Sequence, residues 1–236
     1  MATNKCKIKA NFADIQAYEK RIRKFVPYYE RMMDYVLECM PESNQKYSIL
    51  ELGCGTGNLT FRVLKKARAA ELVAIDIVRE MVEACGNRLK KERLNAELIC
   101  ADMVEFCRGN SFDYVFSNLA LHYPETEEEK FLTCRNVFES LKPGGLFSFS
   151  VMLSDHSKEI SQKIWKRWEK DVLANEGSQE EIDEWYRTAH LTDHPMTAKR
   201  WLSLLGEVGF SNYDLLWRET IFGIIWAEVP KEKLKR

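Results

Sequence analysis

Ile49-Leu50-Glu51-Leu52-Gly53-Cys54-Gly55-Thr56-Gly57-Asn58 reads as a short buried strand, a tight turn and the start of a helix. Glycines at a strand-to-helix turn let the backbone bend sharply and let a ligand lie against its N–H groups. Their spacing here differs from the G-x-G-x-x-G of a dinucleotide fold, whose helix N-terminus faces a pyrophosphate. The third glycine comes one residue early, and Glu51 sits two residues before the first. A carboxylate there repels a pyrophosphate and suits a ligand that carries an ammonium group.

Working outward, Glu71-Leu72-Val73-Ala74-Ile75-Asp76 is a second short strand ending in an acid. In doubly wound folds an acid at this place accepts hydrogen bonds from ribose hydroxyls. Ala96 to Cys100 is a third strand and runs into Ala101-Asp102-Met103; Phe112 to Ser117 is a fourth, followed by Asn118-Leu119-Ala120-Leu121-His122-Tyr123. Leu141-Lys142-Pro143-Gly144-Gly145-Leu146 turns into a fifth, Phe147 to Val151. Helices over Gly57–Ala67, Arg79–Arg93 and Glu125–Leu141 alternate with these strands. Glu125, Glu127, Glu128 and Glu129 favour the last helix's N-terminus. Such alternation implies a parallel sheet with right-handed crossovers.

The flanks differ. Tyr18 to Met40 carries apolar residues at helical spacing, interrupted at Pro27. After the fifth strand, Ser157–Asn175, Gln179–His190 and Thr197–Val208 read as three helices, ahead of two closing strands, Asn212–Leu216 and Ile221–Val229. One domain over 1–236 follows, with a helical cap (1–47), a ligand-binding core (48–151), a helical insert (152–207) and a closing hairpin with its tail (208–236).

Composition narrows the function. A hydrophobic content of 45% and a charged content of 30% are ordinary for a globular protein. The net charge of −1 builds no field for nucleic acid. No stretch approaches a membrane span, and no secretory leader is apparent, so a cytoplasmic location is expected. The seven cysteines form no C-x-x-C pair, so reduced thiols, with Cys54 and Cys100 in the core, are expected and no metal site.

The glycine motif with Glu51, the acids Asp76 and Asp102 and the order of strands together resemble the class I methyltransferases that bind S-adenosylmethionine (SAM). From about Phe25 to Val229 the chain is similar to small-molecule enzymes of that family. The resemblance implies a Rossmann-like α/β fold: a seven-stranded, mostly parallel sheet closed by an antiparallel C-terminal hairpin, with N-terminal helices and a helical insert before the last two strands. It also implies SAM as cofactor, held by Glu51, Gly53, Gly55, Asp76, Ile77, Met81, Asp102, Met103 and Asn118. Within that set, turn N–H groups receive the methionyl carboxylate, Glu51 reaches the amino group through water, and Asp102 meets the adenine amino group. For Gly57 helix packing is an equal alternative, and for Met81 packing within its own helix.

His122 follows the fourth strand, near where the methyl group would point, and imidazole titrates in the range useful for a base. Its alternative is a histidine that shapes the pocket wall. Tyr18, Arg23, Tyr28 and Tyr29 are candidates for a substrate lid, and Tyr18, Arg21 and Lys24 share a helical face suited to an anionic substrate. Trp165, Trp168, Trp185, Tyr186 and Trp201 either enclose an apolar acceptor or dock helices onto the sheet.

At its ends, Val26-Pro27-Tyr28-Tyr29, Leu191-Thr192-Asp193 and Val208-Gly209-Phe210 resemble the carboxy-SAM synthase branch, which implies a homodimer. The activity expected is methyl transfer to a small molecule, without nucleic-acid or membrane partners. The alternatives are carboxy-SAM synthase-like chemistry and SAM binding without transfer.

Overall fold

A computed structural model describes residues 15–155 and 157–232. Expectations on Cys6, on the start of the cap and on the last four residues of the tail lie outside the described residues.

Among the described residues, eight strands form one sheet: β1 (Ser48–Leu52), β2 (Glu71–Asp76), β3 (Glu97–Cys100), β4 (Phe112–Asn118), β5 (Leu141–Ser154), β6 (Met196–Thr197), β7 (Asn212–Glu219) and β8 (Phe222–Glu228). Their order is β3-β2-β1-β4-β5-β8-β7, with the two-residue β6 attached in parallel to the end of β5. β1 to β5 pair in parallel, while β8 runs antiparallel between β5 and β7. The chain moves outward from β1 through β2 to β3 and then returns to β4 on the other side of β1. The two loops leaving β1 and β4 diverge there and open a crevice at the carboxyl ends of the strands.

Both faces of the sheet are covered, which is why the central strands are continuous apolar runs. Ile49 belongs to the core under α2 (Tyr29–Val36), α3 (Asn58–Lys66) and α4 (Arg79–Lys91). Leu50 and Leu52 point into the other core, with α5 (Glu127–Ser140) and α8 (Ala198–Val208). Thr126 and Glu129 make a reciprocal capping box at α5, and Thr197 caps α8 through the N–H of Arg200. α1 (Ile15–Phe25) stops ahead of Pro27, whose ring cannot continue a helix, and α2 restarts at Tyr29.

The insert contributes α6 (Lys158–Ala174), α7 (Gln179–Thr188) and a 3-10 turn at Ala189–Leu191. Trp165, Trp168, Trp185 and Tyr186 pack ring on ring, with Trp168 and Trp185 centred 4.8 Å apart. Trp168 also donates its indole N–H to the Phe25 carbonyl at 2.9 Å, and Tyr28 donates to Asp171 at 2.9 Å. These aromatics therefore dock the insert onto the N-terminal helices.

The structure differs from the expected fold at four places. The sheet has eight strands rather than seven, because Met196–Thr197 adds the short β6 beside the end of β5. β7 continues through Glu219, with a bulge between Leu215 and Trp217, so the connection to β8 shrinks to Thr220 and Ile221. β5 begins at Leu141 rather than Phe147, because Leu141 already pairs with Phe112 across the bend at Gly144-Gly145. Cys100 is exposed, since β3 is the sheet's edge strand, whereas Cys54 is buried as expected.

Candidate active site

The glycine turn is fixed by backbone bonds. The N–H groups of Gly53 and Cys54 both donate to the Ile75 carbonyl at 2.9 Å, and Gly57 N–H closes the turn onto Cys54. Gly55 N–H donates to Oδ2 of Asp76 at 2.8 Å, while Oδ1 of Asp76 accepts from Val78 N–H at 2.9 Å. All three glycines have positive φ, yet they face different surroundings. A Cβ on Gly53 would lie 2.4 Å from the Ala120 Cβ, and one on Gly57 would lie 2.7 Å from the Cys85 sulfur. Gly57 is thus a packing glycine between α3 and α4. A Cβ on Gly55 would meet only the Tyr18 hydroxyl, at 4.0 Å, so that position opens into a cavity.

The cavity has a volume of about 410 Å3 and lies outside the ends of β1, β2 and β4. Gly53, Gly55, Asp76, Ile77, Met81, Asp102, Met103 and Asn118 line it, together with Tyr18 and Tyr123. Glu51 does not. It is buried beneath the turn beside Thr60, and its Oε2 has no hydrogen-bond partner among the described residues. Burial pushes the Glu51 carboxyl well above the usual carboxylate range, a shift that the Thr60 hydrogen bond opposes.

A second, smaller cavity of about 90 Å3 adjoins the first and shares Tyr18, Leu119 and Tyr123 with it. Its walls include Phe25, Met152, Trp168, Trp185 and Phe222, and its polar groups include Arg21, His122 and Asp193. Leu119 holds a positive φ of 54°, a strained value for a branched side chain. Ser150 pins it there: Leu119 N–H bonds to both the carbonyl and the hydroxyl of Ser150, which also donates to Asn118 Oδ1 at 2.6 Å.

Residues 49–145 match the family described as the methyltransferase domain. A malonyl-[acyl-carrier protein] O-methyltransferase of Priestia megaterium is 33% identical over 117 residues, which cover 50% of this chain and 41% of that protein. The chain's match thus spans less than half the length of that relative. A carboxy-S-adenosyl-L-methionine synthase of Helicobacter hepaticus is 20% identical over 218 residues, covering 89% of this chain and 90% of its own. The solved structure of the YcgJ protein of Bacillus subtilis superimposes with a TM-score of 0.65 at 11% identity, covering 86% of this chain and 100% of that one. Residues 49–145 are thus similar to a methyltransferase domain, and the fold is that of the solved structures the chain superimposes on. Phosphoethanolamine N-methyltransferase 2 of Haemonchus contortus, which superimposes with a TM-score of 0.60 at 13% identity, covering 85% of this chain and 52% of that one, was solved in complex with SAM.

The first cavity fits an adenosyl ligand on its own terms. Gly55 leaves space where any other residue would put a Cβ, and Asp76 presents a carboxylate already aligned by two backbone donors. Asp102 is fixed in the same way, through Val104 N–H at 2.9 Å. Apolar Ile77, Met81 and Met103 supply flat contact for a base. Because Gly55 N–H is spent on Asp76, a methionyl carboxylate has fewer turn donors than the sequence implied. If Asp76 serves the ribose, Asp76→Ala is expected to weaken SAM binding by about 1–3 kcal/mol, the usual size for charge-assisted hydrogen bonds. Titration calorimetry giving wild-type affinity would remove Asp76 from the site.

Of the four lid candidates, Tyr18 alone lines either of these two cavities, and it lines both. Burial raises its pKa well above the phenolic value. Glu19 next to it accepts from Thr56, from Asn58 at 3.0 Å and from Arg23 at 2.5 Å, which ties α1 to the glycine turn. Arg23 pairs with Glu19 and Glu30, Tyr28 with Asp171, and the Tyr29 hydroxyl accepts from Asn58. These three brace α1 and α2 instead of touching either cavity. His122 is buried on the second cavity, and its Nδ1 accepts from Met152 N–H at 3.5 Å. That bond leaves the ring proton on Nε2. Burial depresses its pKa to about 3. Ser150 and the strained Leu119 carry no mark in the sequence; Asp193 stood in a recognised end motif without a role.

Proposed function

We propose that the chain transfers a methyl group from SAM to a small molecule seated in the second cavity. The shared wall of Tyr18, Leu119 and Tyr123 carries this reading, because it sets an acceptor-sized space directly against the adenosyl cavity. SAM supplies an activated methyl on a good leaving group, so positioning and exclusion of water provide most of the rate enhancement. The chain's part is then to hold the acceptor. Leu119, pinned by Ser150, fixes the boundary between the cavities, and the apolar walls keep water out. His122, neutral at working pH, offers its Nε2–H to orient the acceptor; a base with a pKa of about 3 is too weak to take a proton from most nucleophiles.

A screen of small metabolites with methyl-labelled SAM, read by mass spectrometry, tests the proposal. Labelled product from a small acceptor supports it; SAM binding without transfer to any acceptor class favours a SAM-binding protein instead. The alignment over nearly the whole carboxy-SAM synthase favours a second reading, carboxymethyl chemistry. Mass spectrometry of nucleoside co-purified with the protein separates the two by the extra carboxylate.

The free thiols among the described residues suit the reducing cytoplasm. No described helix is long and apolar enough to cross a membrane. The end motifs' resemblance to the carboxy-SAM synthase branch leads us to infer a homodimer, which light scattering on the full chain measures.

A further inference from the structure

We propose that the second cavity takes a small zwitterionic amine, held by its ammonium group at Asp193 and by its anionic end at Arg21, with Asp193 receiving the proton that the amine must lose. This rests on the acceptor reading above and gives it a substrate class.

Asp193 follows the 3-10 turn, and its backbone N–H is anchored to the Ala189 carbonyl at 2.7 Å. Oδ1 accepts from the Thr192 hydroxyl at 3.0 Å, and no described residue is seen donating to Oδ2. The side chain is half-buried on the cavity wall, and this oxygen is open to a cation entering there. Burial has moved the carboxyl pKa up to about 6, and the Thr192 hydrogen bond and Arg21 only partly offset that. The groups facing it are Arg21 from α1 and Tyr123 from the loop after β4. His122, on the same loop and the same cavity, is held towards its neutral form by burial.

An ammonium group satisfies Oδ2, and the surrounding Trp168, Trp185 and Phe222 favour a cation over an anion. Arg21 sits on the exposed side of the cavity, with no ion-pair partner among the described residues. A free amine leaves that guanidinium unanswered, and a simple carboxylic acid faces the charge of Asp193. A molecule with an amine at one end and an anion at the other answers both. The space is much smaller than the 410 Å3 of the first cavity, which suits a small acceptor.

The proton balance is simple. The ammonium gives one proton to the Asp193 carboxylate, and the freed lone pair forms the N–C bond as the methyl leaves sulfur, which keeps the C–S electron pair. Asp193 then returns its proton to solvent.

The test uses the full chain saturated with S-adenosylhomocysteine and titrated with β-alanine, propylamine and propionate. β-Alanine is expected to bind at least tenfold more tightly than either single-charge analogue. Asp193→Asn should weaken β-alanine at least tenfold while changing S-adenosylhomocysteine affinity less than twofold, and Arg21→Gln should erase the advantage over propylamine. Propionate binding as tightly as β-alanine, or an unchanged Asp193→Asn, overturns the inference; so does absent β-alanine binding in the wild type. Label transfer to a different acceptor class in that last case leaves the methyltransferase reading standing, whereas failure to bind S-adenosylhomocysteine removes both.

Discussion

Gly53→Ala is expected to destabilise the protein by about 2–5 kcal/mol and to lower SAM affinity more than tenfold. Two costs add. Gly53 holds a left-handed φ of 70°. That conformation strains any residue with a side chain by roughly 1–2 kcal/mol. A Cβ placed 2.4 Å from the Ala120 Cβ forces one segment to move. Overpacking of this kind costs about 1–3 kcal/mol. Neither neighbour yields easily. The Gly53 N–H is committed to the Ile75 carbonyl, and Ala120 follows Leu119, which Ser150 holds by two hydrogen bonds. The displacement therefore reaches the wall shared by the two cavities. Gly55→Ala is the control: it bears the φ strain at +52° but meets nothing nearer than 4.0 Å, so it should lose affinity with a smaller loss of stability. Urea unfolding and calorimetry on both variants separate the two effects. A Gly53→Ala protein as stable as wild type would show that the turn is not packed as described.

The sheet was legible because its strands are buried on both faces and carry their signal locally, as at Ile49 to Leu52 and Leu72 to Ile75. Eight of the nine residues expected at the cofactor line one cavity, since strand ends and glycine turns fix position along the chain. Glu51 shows where this stops. Its sequence position beside the turn is unmistakable, yet the alternation of β1 sends it beneath the turn, onto the Ile49 face. Arg23, Tyr28 and Tyr29 were misplaced for a different reason. Helical spacing groups residues on a face but does not say which neighbour covers that face, and here α3 and α6 do. Asp193 depends on a contact between the insert and α1 that no local pattern encodes. The same holds for Cys100, whose exposure follows from β3 lying at the edge of the sheet.

His122 should give the protein an acid-sensitive stability that disappears in His122→Gln. Its pKa is about 6.5 unfolded and about 3 folded, because burial, helped by the nearby Lys130 and His194, disfavours the imidazolium. Between those values the unfolded chain takes up a proton that the folded chain refuses. Stability therefore rises with pH across this window and is lost on acidification at up to about 1.4 kcal/mol per pH unit. Asp193 works in the opposite sense: its folded pKa of about 6 exceeds the unfolded value, so folding binds a proton as pH falls through 6 towards 3.8. The wild-type acid limb is consequently shallower than His122 alone would make it, and the comparison must be made against a variant that keeps Asp193. His122→Gln retains an oxygen that can accept from Met152 N–H. From pH 7 to pH 5, wild type is expected to lose about 2 kcal/mol more than His122→Gln in urea unfolding. Parallel curves would mean that the imidazole is hydrated and free to titrate near its ordinary value, which would restore it as a candidate base. A divergence of the expected size keeps it neutral at pH 7, and the proton released in amine methylation then needs another acceptor on the same cavity, the position that Asp193 occupies.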